Sequence, residues 1–152
     1  MPNQSTNNEI NVIILAAGQG TRMNSSVSKV LHEVGNKTLI QHVIDAAKPL
    51  ANSINVIIGH NSESVKKSTQ HSLIKWVLQK NQLGTGHAVM QAIPNIKKDS
   101  MCLILYGDVP LIQTQTLLKL LEKANKTGFS LLTVIQNDPS GYGRIIRDSS
   151  KS

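Results

Sequence analysis

The sequence has 152 residues, of which 39% are hydrophobic and 16% charged, and its formal net charge is +7. This composition indicates a single globular domain with a hydrophobic core and excludes an intrinsically disordered chain. The longest apolar run, residues 12–17, is far too short to span a bilayer, and the polar first eight residues contain no secretory signal. We therefore expect a cytoplasmic protein with a polar tail over residues 1–10 and a folded domain over residues 11–152.

The positive charge alone suggests a nucleic acid or another polyanion as a partner. The lysines are dispersed, however, and aromatic residues make up only 3% of the chain, so no base-stacking platform is present. We expect no nucleic-acid partner, and a polyanion-binding module remains an alternative that the charge alone motivates. The single cysteine, Cys102, cannot form an internal disulfide and is predicted to be a small buried hydrophobe in a strand.

Apolar runs alternate with helical patterns along the chain. Residues 12–15 form the first predicted strand, and residues 38–41 read as a capping box at the start of a helix that ends near Pro49. The later predicted strands are residues 54–58, 74–78, 101–106 and 130–135, with another beginning in residues 142–147. The later predicted helices are residues 62–68, a helix that lasts to about Ala92, and one through Leu117 and Ala124 that ends at Gly128. This alternation predicts an α/β, Rossmann-like open sheet, mostly parallel, with helices on both faces.

Three polar or glycine-rich loops follow strands of this predicted sheet, at residues 17–22, 79–87 and 107–110. Because ligands of open parallel sheets bind beyond the carboxyl ends of the strands, we expect these loops to form one site. Gly18 and Gly20 can expose backbone N–H groups to an anion, and Arg22 can add a bidentate phosphate donor. The loop lacks the lysine of a Walker A motif and has Met23 where a dinucleotide fingerprint needs glycine. A turn that merely reverses the chain also remains open.

Two further side chains are candidates for phosphate or metal binding. Asp108 follows a buried strand and is a plausible Mg²⁺ ligand, although a carboxylate that caps a turn is an equal alternative. Lys29 can reach a phosphate or be simply solvated. The spacing of the five histidines does not predict zinc, and no Gly-x-Ser-x-Gly motif supports a serine nucleophile.

Five motifs together resemble one known family over residues 11–147. They are Leu-Ala-Ala-Gly-x-Gly-Thr-Arg-Met from Leu15, Lys-Val-Leu from Lys29, Gln-x-x-x-Leu-Gly-Thr-Gly-His-Ala from Gln79, Tyr-Gly-Asp-Val-Pro from Tyr106 and Gly-Tyr-Gly-Arg from Gly141. The family is the nucleotidyltransferase domain of the bacterial bifunctional N-acetylglucosamine-1-phosphate uridyltransferase/glucosamine-1-phosphate acetyltransferases. The resemblance implies a fold of the nucleotide-diphospho-sugar transferase type.

The resemblance also implies an activity and roles for individual residues. The family makes UDP-N-acetylglucosamine and pyrophosphate from UTP and N-acetylglucosamine 1-phosphate with Mg²⁺, for peptidoglycan and lipopolysaccharide precursors, and its full-length members are homotrimers. The implied nucleotide-binding residues are Leu15, Ala16, Ala17 and Gly18 beneath the nucleotide, Gln79, Gly84 and Thr85 at the uracil, and the catalytic cations Arg22 and Lys29 at the phosphates. The implied sugar-side residues are Tyr106, Gly107 and Gly143, and Asp108 is the implied magnesium ligand.

The sequence departs from the family pattern at several points. Ser28 replaces the proline that usually precedes the lysine matched by Lys29. A downstream Glu and two Asn residues of the family site have no counterpart, and no hexapeptide repeats of the acetyltransferase β-helix domain are present. We therefore expect a partial nucleotidyltransferase domain, the amino-terminal part of a longer enzyme, with an uncovered sheet edge. A sister sugar-phosphate nucleotidyltransferase, or a non-catalytic remnant that binds nucleotide weakly, remains an alternative.

Overall fold

The strands and helices alternate along the chain as the sequence predicts. A computed structural model describes residues 9–18, 27–59, 62–69 and 71–147. In chain order the elements are β1 (Ile10–Leu15), a 3₁₀ turn (Lys29–Leu31), β2 (Glu33–Val34), β3 (Lys37–Thr38), α1 (Leu39–Ala47), β4 (Ser53–Ile58), α2 (Glu63–Ser68), β5 (Ile74–Leu78), α3 (Thr85–Ala92), β6 (Met101–Tyr106) and α4 (Thr114–Thr127). Short 3₁₀ turns, Lys48–Leu50 and Ile93–Asn95, extend α1 and α3.

Four of the strands form one parallel sheet in the spatial order β5-β4-β1-β6. β1 lies inside this sheet, where Val12 pairs with Ile54 on one side and with Leu103 on the other. A strand that is paired on both edges and covered on both faces must be apolar throughout, which explains the continuous apolar run at residues 12–15.

Helices cover both faces of the sheet, which confirms the predicted fold class. On one face, Val12 and Ile14 belong to a core cluster with residues of α1 and with Leu117 of α4. On the other face, Ile13 and Ile57 pack against α3. Among the described residues, no helix is both long and apolar enough to cross a membrane.

The predicted ends of α1 and α4 are confirmed in part. Thr38 caps α1 by accepting a hydrogen bond from the backbone N–H of Gln41 over 3.3 Å. The side chain of Gln41 instead donates to Asp45 over 2.7 Å, so only half of the predicted capping box forms. Gly128 ends α4 with φ = +80°, a conformation that glycine adopts at little cost.

A short hairpin between β1 and α1 was missed by the sequence prediction. β2 and β3 pair antiparallel around the two-residue turn Gly35-Asn36, where both residues have positive φ. A Gly-Asn pair is a recognised signal for such a tight turn. The two strands are only two residues long each, so no alternating pattern marks them.

The prediction of strands at residues 130–135 and 142–147 is wrong. The structure has no strand among the described residues after α4, and most side chains there are exposed, including Leu131 and Ile135. An apolar, β-branched run becomes a strand only when a neighbouring edge supplies hydrogen bonds. β6 leaves one edge of the sheet unpaired, and this segment does not pair with it.

The predicted burial of Cys102 is also wrong. β6 is an edge strand, and its alternate residues Cys102, Ile104 and Tyr106 are exposed while Leu103 and Leu105 are buried. α3 packs over β1, β4 and β5 on that face of the sheet and does not cover β6. The remaining partial burial still raises the pKa of the Cys102 thiol above its ordinary value.

Candidate functional site

The candidate site lies where the order of the strands reverses. The chain runs from β1 outward to β4 and β5, then returns to β6 on the opposite side of β1. The loops after β1 and β6 lie side by side at this point, at the crevice where open α/β sheets bind ligands. Gly107 donates its backbone N–H to the carbonyl of Leu15 over 3.0 Å. A Cβ on Gly107 would lie 3.1 Å from that oxygen and 3.3 Å from Val30, so the close approach of the loops depends on glycine.

A cavity of about 270 Å³ occupies this crevice, and residues from all three predicted loops line it. The predicted site residues that line it are Leu15, Ala16, Ala17, Gly18, Lys29, Gln79, Gly84, Thr85, Tyr106 and Asp108. Val30, Gln82 and Ala88 line it as well. The loops after β1, β5 and β6 therefore line one cavity, which is the candidate site.

Lys29 and Asp108 form an ion pair at the cavity. Lys29 Nζ lies 2.6 Å from Asp108 Oδ2, and both side chains are partly exposed, at 43% and 30%. The 3₁₀ turn Lys29–Leu31 positions the lysine, and Asp108 follows the end of β6. Both members of the pair lie at the cavity and are open to solvent, so both are accessible to a ligand.

The single carboxylate of Asp108 fits a magnesium ion that substrate phosphates also coordinate. No three His, Cys, Asp or Glu side chains cluster closely enough to hold a metal in the part of the chain that the structure describes. Mg²⁺ commonly takes one or two protein carboxylates and completes its coordination with substrate phosphates and water. Asp108 is therefore suited to anchor an ion that arrives with a phosphate ligand.

Gln79 presents a buried amide to the cavity. Its backbone N–H donates to Ile58 over 2.8 Å, which fixes the loop to the end of β4. The side chain is 3% exposed, and its Nε2 lies 3.2 Å from the carbonyl oxygen of Gly84 and 3.0 Å from His87 Nδ1. Gly84 has φ = +99° and precedes the first turn of α3, where backbone N–H groups lack helical partners.

Gln82 is the site residue that sequence reasoning missed most clearly. Its Nε2 donates to the carbonyl of Ala17 over 2.7 Å and so ties the loop after β5 to the loop after β1. A Cβ on Gly59 would lie 2.8 Å from Gln82 Nε2, so the contact also depends on that glycine. Gln82 stands between the motif residues Gln79 and Gly84, and nothing in its local sequence marks a contact with a residue 65 positions away.

Of the described residues that were predicted for the site, Gly107 and Gly143 are not among those that line the cavity. Arg22 lies outside the described residues. Gly143 is in the exposed segment after α4 and is not among the residues that line the cavity. The hydrogen bonds of its neighbours are local, from Tyr142 N–H and Arg144 Nη1 to the carbonyl of Pro139.

Comparisons with known proteins agree with the fold and the motifs. The family model for the MobA-like NTP transferase domain matches residues 12–145. The chain is 50% identical over 144 residues to the Bifunctional protein GlmU of Vesicomyosocius okutanii, which covers 95% of this chain and 32% of that relative. It is 52% identical over 138 residues to the protein of the same name from Ruthia magnifica, covering 91% of this chain and 30% of the relative. The chain thus spans about a third of the length of these curated relatives, and the predicted resemblance is confirmed.

A solved structure shares the fold at much lower sequence identity. A nucleotidyl transferase from Methanothermobacter thermautotroptrophicus superposes with a TM-score of 0.68 at 22% identity, over 76% of this chain and 57% of that chain. The architecture around the cavity is therefore that of the nucleotidyltransferase fold.

Proposed function

The chain belongs to the MobA-like NTP transferase domain family, and on this premise we propose that it transfers a nucleotidyl group to a sugar phosphate. The specific substrates we propose are UTP and N-acetylglucosamine 1-phosphate, with UDP-N-acetylglucosamine and pyrophosphate as products for cell-wall precursors. The names of the 50%-identical relatives and the five motifs support this choice.

The observation that carries the proposal is the composition of one cavity. It is lined by small residues at the end of β1, by the buried amide of Gln79 and by the Lys29–Asp108 ion pair. A nucleotide needs these three features together: a surface that its base and ribose can approach, a group that recognises the base, and charges for its phosphates.

The reaction needs no covalent intermediate on the protein. An oxygen of the sugar phosphate attacks the α-phosphorus of UTP, a new P–O bond forms, and the bond to the β-phosphate breaks to release pyrophosphate. Lys29 stabilises negative charge on the phosphates, and the cavity holds the two substrates in line. Asp108 would hold Mg²⁺, which supplies further charge neutralisation at the phosphates.

A pyrophosphate-release assay with the 152-residue chain tests the proposal. We expect release that requires UTP, N-acetylglucosamine 1-phosphate and Mg²⁺ together. Activity with a different nucleotide or sugar phosphate would identify a sister specificity. Calorimetric binding of UDP-N-acetylglucosamine without turnover would indicate a nucleotide-binding protein. The absence of both binding and turnover would refute the proposal.

A further inference from the structure

We propose that His87 is a positioning residue that selects the base of the nucleotide by holding the side-chain amide of Gln79 in one orientation. The inference rests on the proposed function, in which Gln79 faces the base. His87 is not among the residues that line the cavity, so it acts through Gln79.

The carbonyl of Gly84 favours one orientation of the Gln79 amide. A carbonyl oxygen accepts hydrogen bonds and cannot donate, so the amide atom 3.2 Å from it must be the nitrogen. The reverse orientation would bring two acceptors together, and Gln79 is too buried for bulk water to separate them. The amide oxygen, Oε1, is then the atom that Gln79 can offer to a ligand.

His87 supplies the second acceptor for the same amide nitrogen, over 3.0 Å to Nδ1. Gln91 approaches the other side of the ring, with its Nε2 3.2 Å from His87 Nε2. A neutral imidazole has one acceptor nitrogen and can accept from only one of these two amides. Gln91 also has the His87 carbonyl as an acceptor at 3.2 Å, whereas Gln79 is more buried and its contact with the ring is shorter. Nδ1 therefore accepts from Gln79, and the ring proton is on Nε2.

This arrangement discriminates between pyrimidines. Oε1 can accept a hydrogen bond from the N3–H group of uracil, whereas N3 of cytosine carries a lone pair and would face the amide oxygen as a second acceptor. Without an acceptor at position 87, one N–H of Gln79 loses its partner, and only the Gly84 carbonyl still disfavours the reverse amide orientation. His87 thus favours uridine nucleotides over cytidine nucleotides.

Calorimetric binding of UTP and CTP to four variants of the chain tests the proposal. We expect His87→Leu to lower the ratio of UTP to CTP affinity about tenfold, the equivalent of one lost buried hydrogen bond. His87→Asn can place an oxygen where Nδ1 stands and should retain the wild-type ratio. His87→Gln reaches only the Nε2 position and should behave like His87→Leu. Gln91→Leu is the control that removes the competing amide and should leave the ratio unchanged.

The tautomer of His87, measured by ¹⁵N NMR on the wild-type chain, is an independent test that needs no nucleotide and no variant. A proton on Nε2 supports the proposal, and a proton on Nδ1 overturns it. A folded His87→Leu variant that keeps the wild-type ratio also overturns it. Equal affinity of the wild type for UTP and CTP would instead refute the uridine substrate and the base selection together, and the tautomer would then report on the His87–Gln79 bond alone.

Discussion

Lys29 Nζ lies 2.6 Å from Asp108 Oδ2, so the cation expected to bind phosphates is paired with the carboxylate expected to bind metal. The two residues are 79 positions apart, and the folding of the loops after β1 and β6 brings them together. Each partner holds the other close to the cavity. A phosphate group that arrives with a metal cation offers an anion to Lys29 and a cation to Asp108. It can therefore replace both interactions of the ion pair at once.

Removing either member of this pair should greatly slow catalysis but barely affect folding. We expect Lys29→Met and Asp108→Asn each to lower kcat/KM for pyrophosphate release by about 100-fold or more, because each removes charge stabilisation of the reacting phosphates. The free energy of unfolding should change by less than about 1 kcal/mol, because the pair is partly exposed. Steady-state kinetics and urea unfolding measure the two effects. Activity within a few-fold of wild type would contradict the assigned roles.

Gly59→Ala should disrupt the contact between two of the site loops. The new Cβ would lie 2.8 Å from Gln82 Nε2 and 3.2 Å from the carbonyl of Ala17, so the Gln82–Ala17 hydrogen bond must yield. We expect a loss of about 1–3 kcal/mol in stability and weaker UTP binding, measured by urea unfolding and calorimetry.

The matched control for this substitution is Gly86→Ala. A Cβ at Gly86 meets nothing within 4 Å, and the residue lies in α3. Alanine is a better helix former than glycine, so this variant should gain about 0.5–1 kcal/mol in stability. Equal effects of the two substitutions would show that the Gln82 contact does not matter.

Adjacent leucines in α4 should respond very differently to truncation. Leu117 is fully buried in the core cluster with β1, whereas Leu118 is 38% exposed. We expect Leu117→Ala to cost about 2–5 kcal/mol in the free energy of unfolding, through lost burial and the cavity left behind. Leu118→Ala should cost less than about 1 kcal/mol. Urea unfolding of both variants tests whether α4 packs as described.

Cys102 should be accessible to alkylation in the folded protein but react slowly at neutral pH. The side chain is exposed on the edge strand, while partial burial raises the pKa of its thiol and so disfavours the reactive thiolate. We expect the rate of reaction with iodoacetamide to rise with pH, with a midpoint above that of free cysteine. If Cys102 reacted with iodoacetamide only after unfolding, this face of β6 would be covered in the folded protein.

The loops of the site could be predicted from the sequence because their signals are local. Glycines and polar residues that directly follow apolar runs mark the strand ends near Leu15, Gln79 and Asp108. The carboxyl ends of the strands of a parallel sheet share one edge. The missed hairpin and the two wrong strands have a different cause. Two-residue strands are too short to show a period, and the apolar run at residues 130–135 has strand-like composition but no pairing edge.

By itself, the sequence determined the alternation of strands and helices, the parallel sheet and the grouping of three loops at its carboxyl edge. Hydrophobic periodicity and turn residues encode these features over short stretches of chain. Only the tertiary structure decided that Lys29 pairs with Asp108, that Gln82 reaches Ala17, that His87 reaches Gln79 and that Cys102 is exposed. These contacts depend on which strands become neighbours and on how much of the sheet each helix covers. No local pattern of residues specifies either of these.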